Sequence, residues 1–296
     1  MKRLMFFPAL VLGIALFFSC ASAPPVPEQT GSSVWKITRN GNTIFLGGSI
    51  HILRYTDFPL PVEFSRAFAE STTLVLEADI TLFEDLAIQQ YLLTQMILPD
   101  GQTLQTILDS ETYELLAAVA AQYGLPLEIF YNLRPSMVMT TLALLQMQRL
   151  GFVQEGVDIY FLNKAASANV PVRFLESIES QIDMLLSMGE GYENDFVRYS
   201  IQDMENTEVF LADILRDWRT GESASTELSL RTMREEWPYL YRALITDRHD
   251  AWMPQIEEYL DSGSAYFVLV GLLHLHGSNG LLQLLEDAGS TIEQFR

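Results

Sequence analysis

Two histidines, His51 and His274, each complete the pattern Gly-x-x-His directly behind a short apolar run, TIFLGGSIH over 43–51 and YFVLVGLLH over 266–274. Two glutamates have the same placement, Glu77 behind the run 73–76 and Glu176 behind the run 171–175. Imidazole nitrogen and carboxylate oxygen together make a ligand set for a divalent cation. A carboxylate beside a bound water is also a general base. If the four runs are neighbouring parallel strands, their carboxyl ends converge on one cleft, where α/β sheets place their ligands. Gly47, Gly48 and Gly271, lacking Cβ, would let the backbone turn and leave room there. Each residue alone has a duller explanation: a hydrogen-bonded structural histidine, or a glutamate charging a helix N-terminus. Only the recurrence of four polar residues in one position gives the pattern force.

Other polar residues are weaker candidates. Arg248 and His249 stand in Asp-Arg-His-Asp, inside a helical stretch. Arg248 could clamp an anionic group or form an ordinary salt bridge. Gln181 lies one helical turn beyond Ser177 and could hydrogen-bond the site from behind. Asp158 follows Gly156, as a helix-capping residue would. His276 could be a third imidazole or, as the favoured reading, a surface residue. Gly48-Ser49 lacks a nucleophile-elbow context, and the sequence contains no HExxH and no phosphate loop.

Long helical stretches alternate with short buried runs, which predicts an α/β fold around a mixed or parallel central sheet. An Asn-Gly pair between runs 34–38 and 43–46 predicts a hairpin. Further strands are expected over 73–76, 171–175 (both buried) and 266–270, with an edge strand over 291–295. Helices are expected over 61–70, 81–97, 111–123, 127–132, 135–150, 157–168, 178–188, 194–219, 239–260 and 277–288, with 222–236 a polar surface stretch. The block 81–150 would form a helical cap over the sheet, with 135–150 buried nearly all round.

The N-terminus reads as an export signal. Lys2 and Arg3 precede an apolar segment over 4–18, too short for a usual membrane span. Phe17-Phe18-Ser19-Cys20 then has the form of a bacterial lipobox, with Phe17 where leucine is usual. The expected organisation is a signal peptide over 1–19, a lipidated Cys20 with a proline-rich tether to 33, and one α/β domain over 34–296. Cys20 is the one cysteine, so no internal disulfide can form. With 18 Lys and Arg against 38 Asp and Glu, the net charge is −20, which argues against nucleic acid as a partner. The lipid would be the membrane contact, and the location extracytoplasmic.

Taken together, Trp35, the segment 44–51, Leu74 to Glu77, Gly156-Val157-Asp158, Phe174-Leu175-Glu176 with Gln181, Asp247-Arg248 with Trp252, and 270–275 with Gly277 resemble the TraB/GumN family. That family includes the animal Tiki metalloproteases and the pheromone-shutdown proteins of Gram-positive bacteria. The resemblance implies an α/β fold related to the erythromycin-esterase/ChaN-like group. It further implies a metal site of His51, His274 and Glu77, with Glu176 and Arg248 as further site residues. Where relatives often carry asparagine after the arginine, this chain has His249.

The expected activity is therefore metal-dependent hydrolysis, most simply of peptide bonds. Mn, Co or Zn would be held by the two histidines and one carboxylate, with the other carboxylate as base and Arg248 facing developing negative charge. The alternatives are a binding protein that sequesters a small peptide or haem-like ligand without turnover, and an envelope scaffold with a degenerate site.

Overall fold

The computed structural model describes residues 31–153 and 155–296. Cys20, the signal segment and most of the expected tether lie outside the described residues. The fold is α/β, built on a six-stranded mixed sheet in the order β4-β3-β5-β2-β1-β6. β1 (Val34–Arg39) and β2 (Asn42–Ser49) form the expected hairpin, with Asn40 and Gly41 both at positive φ, as a tight two-residue turn demands. β2, β5 (Tyr266–Gly271), β3 (Thr73–Leu76) and β4 (Val172–Phe174) run parallel, while β1 and β6 (Thr291–Gln294) are antiparallel at one edge. β5, buried at every position, is inserted between β3 and β2. β4 differs from expectation. It is the opposite edge, its middle residue Arg173 is exposed, and the run is shorter than the sequence implied.

The helices are α1 (Val62–Ala69), α2 (Leu86–Gln95), α3 (Leu104–Ile107), α4 (Ser110–Gln122), α5 (Pro135–Arg149) and α6 (Val157–Ala168). They continue as α7 (Ile178–Ser187), α8 (Glu193–Thr220), α9 (Ala224–Glu236), α10 (Pro238–Tyr241), α11 (Asp247–Asp261) and α12 (Leu281–Asp287). Successive residues of a strand point to opposite faces, so β5 sorts the layers. Phe267 meets Phe161 of α6 edge-on at 5.5 Å, and Phe64 of α1 and Trp218 of α8 join that cluster. Tyr266, one residue earlier, stacks at 4.6 Å on Tyr259 of α11, on the other face. Burying each such side chain is worth about 1.5–3 kcal/mol.

A second core joins α3, α4, α5 and the first half of α8 through Leu104, Leu116, Val138, Leu142, Phe196 and Ile201. The helical cap thus packs about its own centre. Three expectations there are corrected. The single helix over 81–97 is a 3-10 turn, Ile80–Glu84, followed by α2, because the Asp85 side chain accepts from the Ala87 N–H and caps a new helix. α5 buries Val138, Met139 and Leu142, but its second half carries exposed Leu144. The long helix over 239–260 is α10 and α11 joined by a π-helical turn, Arg242–Thr246, directly before Arg248. Such turns place an extra residue in the helix and often mark functional positions.

Candidate functional site

The four parallel strands deliver their polar residues to one end of the sheet. His51 follows β2, Glu77 follows β3, Glu176 follows β4 and His274 follows β5. Arg248 of α11 reaches across from the second layer and ties Glu77, Glu176 and His274 together. Its Nη2 donates to Glu77 Oε2 at 2.5 Å and to Glu176 Oε1 at 2.7 Å, and its Nε donates to Glu176 Oε2 at 3.1 Å. The guanidinium also lies 4.3 Å over the Trp252 ring, whose Nε1 donates to Glu176. Gln181 Nε2 donates to Glu77 Oε2 at 3.3 Å, and the Gly271 N–H donates to Glu77 Oε1 at 2.7 Å. With His274 Nε2 2.9 Å from Arg248 Nη1, and His51 Nε2 and Glu77 Oε1 both bordering Gly271, all five expected site residues and Gln181 meet in space.

Two further residues belong to the cluster. Asp158 accepts from His51 Nδ1 at 2.7 Å and makes no cap for α6, contrary to expectation. The pairing depends on Gly156: a Cβ there would lie 2.1 Å from the His51 carbonyl oxygen, so only glycine lets α6 begin this close. His249, a weaker candidate in the sequence and a departure from the family's usual asparagine, sits with its Nε2 2.9 Å from His274 Nδ1, and its Nδ1 lies 2.7 Å from the Asn279 carbonyl oxygen. His276 is no surface residue. It is buried, edge-on to Trp35 at 5.2 Å, with an unpartnered Nε2.

The hydrogen-bond network assigns the protons. Arg248 Nη1, which can only donate, lies 2.9 Å from His274 Nε2. The Asn279 carbonyl at the other end can only accept. The three bonds between them are satisfied only if His274 and His249 are both neutral and both carry their proton on Nδ1. Burial lowers the His249 pKa to about 4, aided by the Arg248 charge against the opposing pull of the Asn279 carbonyl. Burial likewise drives the His274 pKa well below its ordinary value.

His51 is the opposite case. The Asp158 carboxylate raises its pKa to about 9, although 60% of its side chain reaches solvent and screening works against the pair. Burial opposes ionisation of Glu77, but His274, Arg248, His51 and the Gly271 N–H outweigh it and hold its pKa at about 2. With His274 neutral, Arg248 and His51 supply the cationic part of that stabilisation.

The space over Gly271 is where these donors face one another. A Cβ on Gly271 would lie 3.2 Å from His51 Nε2, 3.3 Å from Glu77 Oε1 and 3.5 Å from His274 Cδ2. Gly47 and Gly48 do not contribute to this space, contrary to expectation; they lie inside β2 against Phe267 and Leu272, where a Cβ would clash at 2.8 and 2.7 Å. Two imidazole Nε2 atoms and one carboxylate oxygen suit a divalent ion, and the second nitrogens are already held by Asp158 and His249, as ligating histidines require. As they stand, no three ligand-type side chains among the described residues are gathered closely enough to hold an ion. The guanidinium, bridging His274 Nε2 and Glu77 Oε2, occupies the contacts an ion would take.

The class is that of α/β proteins whose mixed sheet carries ionisable residues at the carboxyl ends of its parallel strands, here with two of them on Gly-x-x-His turns. The TraB/PrgY/gumN family model matches residues 33–294, and the chain belongs to that family. No curated protein and no solved structure matches the chain.

Proposed function

We propose that the protein is a metal-dependent hydrolase acting on peptide bonds, with His51, His274 and Glu77 as the ligands of a divalent Mn, Co or Zn ion. The observation that carries this reading is the convergence of His51 Nε2, Glu77 Oε1 and His274 over Gly271, where a Cβ is missing. When bound, the ion would supply a water of lowered pKa and polarise the carbonyl under attack. The protein's own groups have separable tasks. His249 holds His274 with its Nε2 lone pair toward the cleft. Asp158 orients His51 in the same sense. Arg248 would have to give up His274 Nε2 for an ion to bind there; held by its two-point contact with Glu176, it would turn its remaining N–H groups toward negative charge developing on the substrate. Glu176, held by Arg248 and not among the proposed ligands, would serve as the general base.

The experiment is the metal content of the purified protein after exposure to each ion, beside His51→Ala and His274→Ala, with cleavage of a peptide library followed on the same samples. About one ion per chain, lost in both variants together with cleavage, is expected. Cleavage retained in either variant would sink the mechanism.

Sequestration of a peptide or haem-like ligand without turnover is the second reading. It is favoured by the guanidinium, which already satisfies His274 and both glutamates without an ion. Saturable binding with no cleavage and no metal would select it. Among the described residues no helix is long and apolar enough to cross a membrane. We place the protein outside the cytoplasm, held to a membrane by lipid on Cys20; conversion of Cys20→Ser should release it from the membrane fraction.

A further inference from the structure

The cleft above the ionic cluster encloses about 550 Å3, and its chemistry is divided. His51, Glu77, Asp158, Gln181 and Arg248 gather on its floor, while Ile80, Phe83, Ile159, Met184, Leu185 and Leu244 supply apolar walls. The walls grow out of the segments that carry the site. Ile80 and Phe83 follow Glu77 in the 3-10 turn, Met184 and Leu185 lie on α7 behind Glu176, and Leu244 sits in the π-helical turn before Arg248.

These apolar residues are not spare core. α7 buries Ile178, Ile182 and Leu186 against Ala78 and Ile88 on one face. Gln181 and Leu185, spaced one turn apart, form a second stripe that faces the cleft. Leu185 stays 38% exposed and Phe83 41% exposed, so packing does not account for them.

Charge narrows the occupant. The two cationic groups lining the cleft are both engaged, Arg248 with Glu77 and Glu176, and His51 with Asp158. No unpaired cation among the lining residues awaits an anionic ligand, and the two lining carboxylates, Glu77 and Asp158, would repel one.

We propose that the cleft is a side-chain subsite for a bulky uncharged residue, aliphatic or aromatic, flanking the peptide bond presented to His51 and Glu77, with Phe83 and Leu185 setting the preference. The inference rests on the hydrolytic reading only for the peptide bond placed at His51 and Glu77; the subsite itself requires no turnover.

The test titrates four peptides, acetyl-Ala-X-Ala-amide with X as Phe, Leu, Ser or Asp, into the full chain by ligand-observed NMR, and scores cleavage on the same samples. The Phe and Leu peptides should bind saturably and compete, with the Ser and Asp peptides weaker by about tenfold or more, equivalent to ~1.4 kcal/mol. Phe83→Ser and Leu185→Ser should each weaken the Phe and Leu peptides about five- to tenfold and leave the Ser peptide unchanged. Equal binding of all four, wild-type affinity in both variants, or no saturable binding of any peptide would overturn the subsite. Selective binding without cleavage would keep the subsite and remove the hydrolase; cleavage indifferent to X would do the reverse.

Discussion

His249 meets His274 ring to ring, Nε2 to Nδ1 at 2.9 Å, and this contact fixes which nitrogen of His274 faces the cleft. The neighbouring Arg248 grips the other edge of the same imidazole. Consecutive residues of one helix thus hold a single ring from both sides, directly after a π-helical turn.

Replacing His249 with leucine removes the acceptor for the His274 Nδ1–H and leaves a buried donor unpaired. A loss of about 1–3 kcal/mol in unfolding free energy is expected. In 15N spectra, His274 should change from the Nδ1–H form to a tautomer mixture. His249→Asn, whose carbonyl oxygen can accept the same proton, should recover much of the Nδ1–H signal. An unchanged tautomer in the leucine variant would show that Arg248 alone sets it.

Stability should fall as the solution is acidified, in two stages. The His249 pKa is about 4 in the fold and about 6.5 when unfolded, so between these values the unfolded chain takes up a proton that the folded chain refuses. His274 acts in the same direction. Glu77 adds a second loss from about 4.5 down to about 2. His51 works the other way: its raised pKa gives stability that is present below about 6.5 and lost as pH rises through about 9. Urea unfolding across pH measures the sum, and His249→Leu should flatten the limb between about 6.5 and 4. Asp158→Asn should bring the His51 titration, read by NMR, down toward its ordinary value.

Arg248→Met leaves two carboxylates that shared one Nη2 facing each other without a cation. Removing one partner of a buried ion pair costs about 3–5 kcal/mol, measurable by denaturant unfolding at neutral pH. The double change with Glu176→Gln should recover part of it. If the single variant is as stable as wild type, the cluster does not contribute to the fold.

Gly271→Ala separates site from scaffold. The backbone at Gly271, φ −53 and ψ 140, is open to alanine. The added methyl would crowd His51 Nε2 and Glu77 Oε1. Metal uptake and cleavage should be lost while the unfolding free energy moves by roughly 1 kcal/mol or less. Full metal content in this variant would place the ion elsewhere.

Much of this arrangement was legible in the sequence, for identifiable reasons. Apolar runs ending in a polar residue gave the parallel strands, and the same runs placed His51, Glu77, Glu176 and His274 at their carboxyl ends. Asn40-Gly41 gave the hairpin. The misses came from contacts between residues distant in the chain. Asp158 lies 107 residues from His51, and its position behind Gly156 looks like a helix cap. The signal for the pairing was Gly156, whose need for close approach the linear pattern does not reveal. His249 stayed a weak candidate because its partner His274 lies 25 residues further on, and the contact between the two rings is not written in the helical pattern. The break at Asp85 and the edge position of β4 depend on one cap and on sheet order, neither of which hydrophobic periodicity encodes.

The placement of β5 has a consequence for how the molecule comes into being. This strand is near the end of the sequence, yet it lies between β3 and β2. Until it emerges from the ribosome, the strands behind Glu77 and His51 have no common neighbour, and Glu77 lacks the Gly271 N–H that its carboxylate accepts. A chain released or cut before residue 266 would therefore lack His274, the Gly271 N–H and the strand that joins β3 to β2. Because β5 pairs with strands far earlier in the sequence, closure of the sheet waits on the last part of the chain, and the strand-end cluster is completed in the same step as the fold.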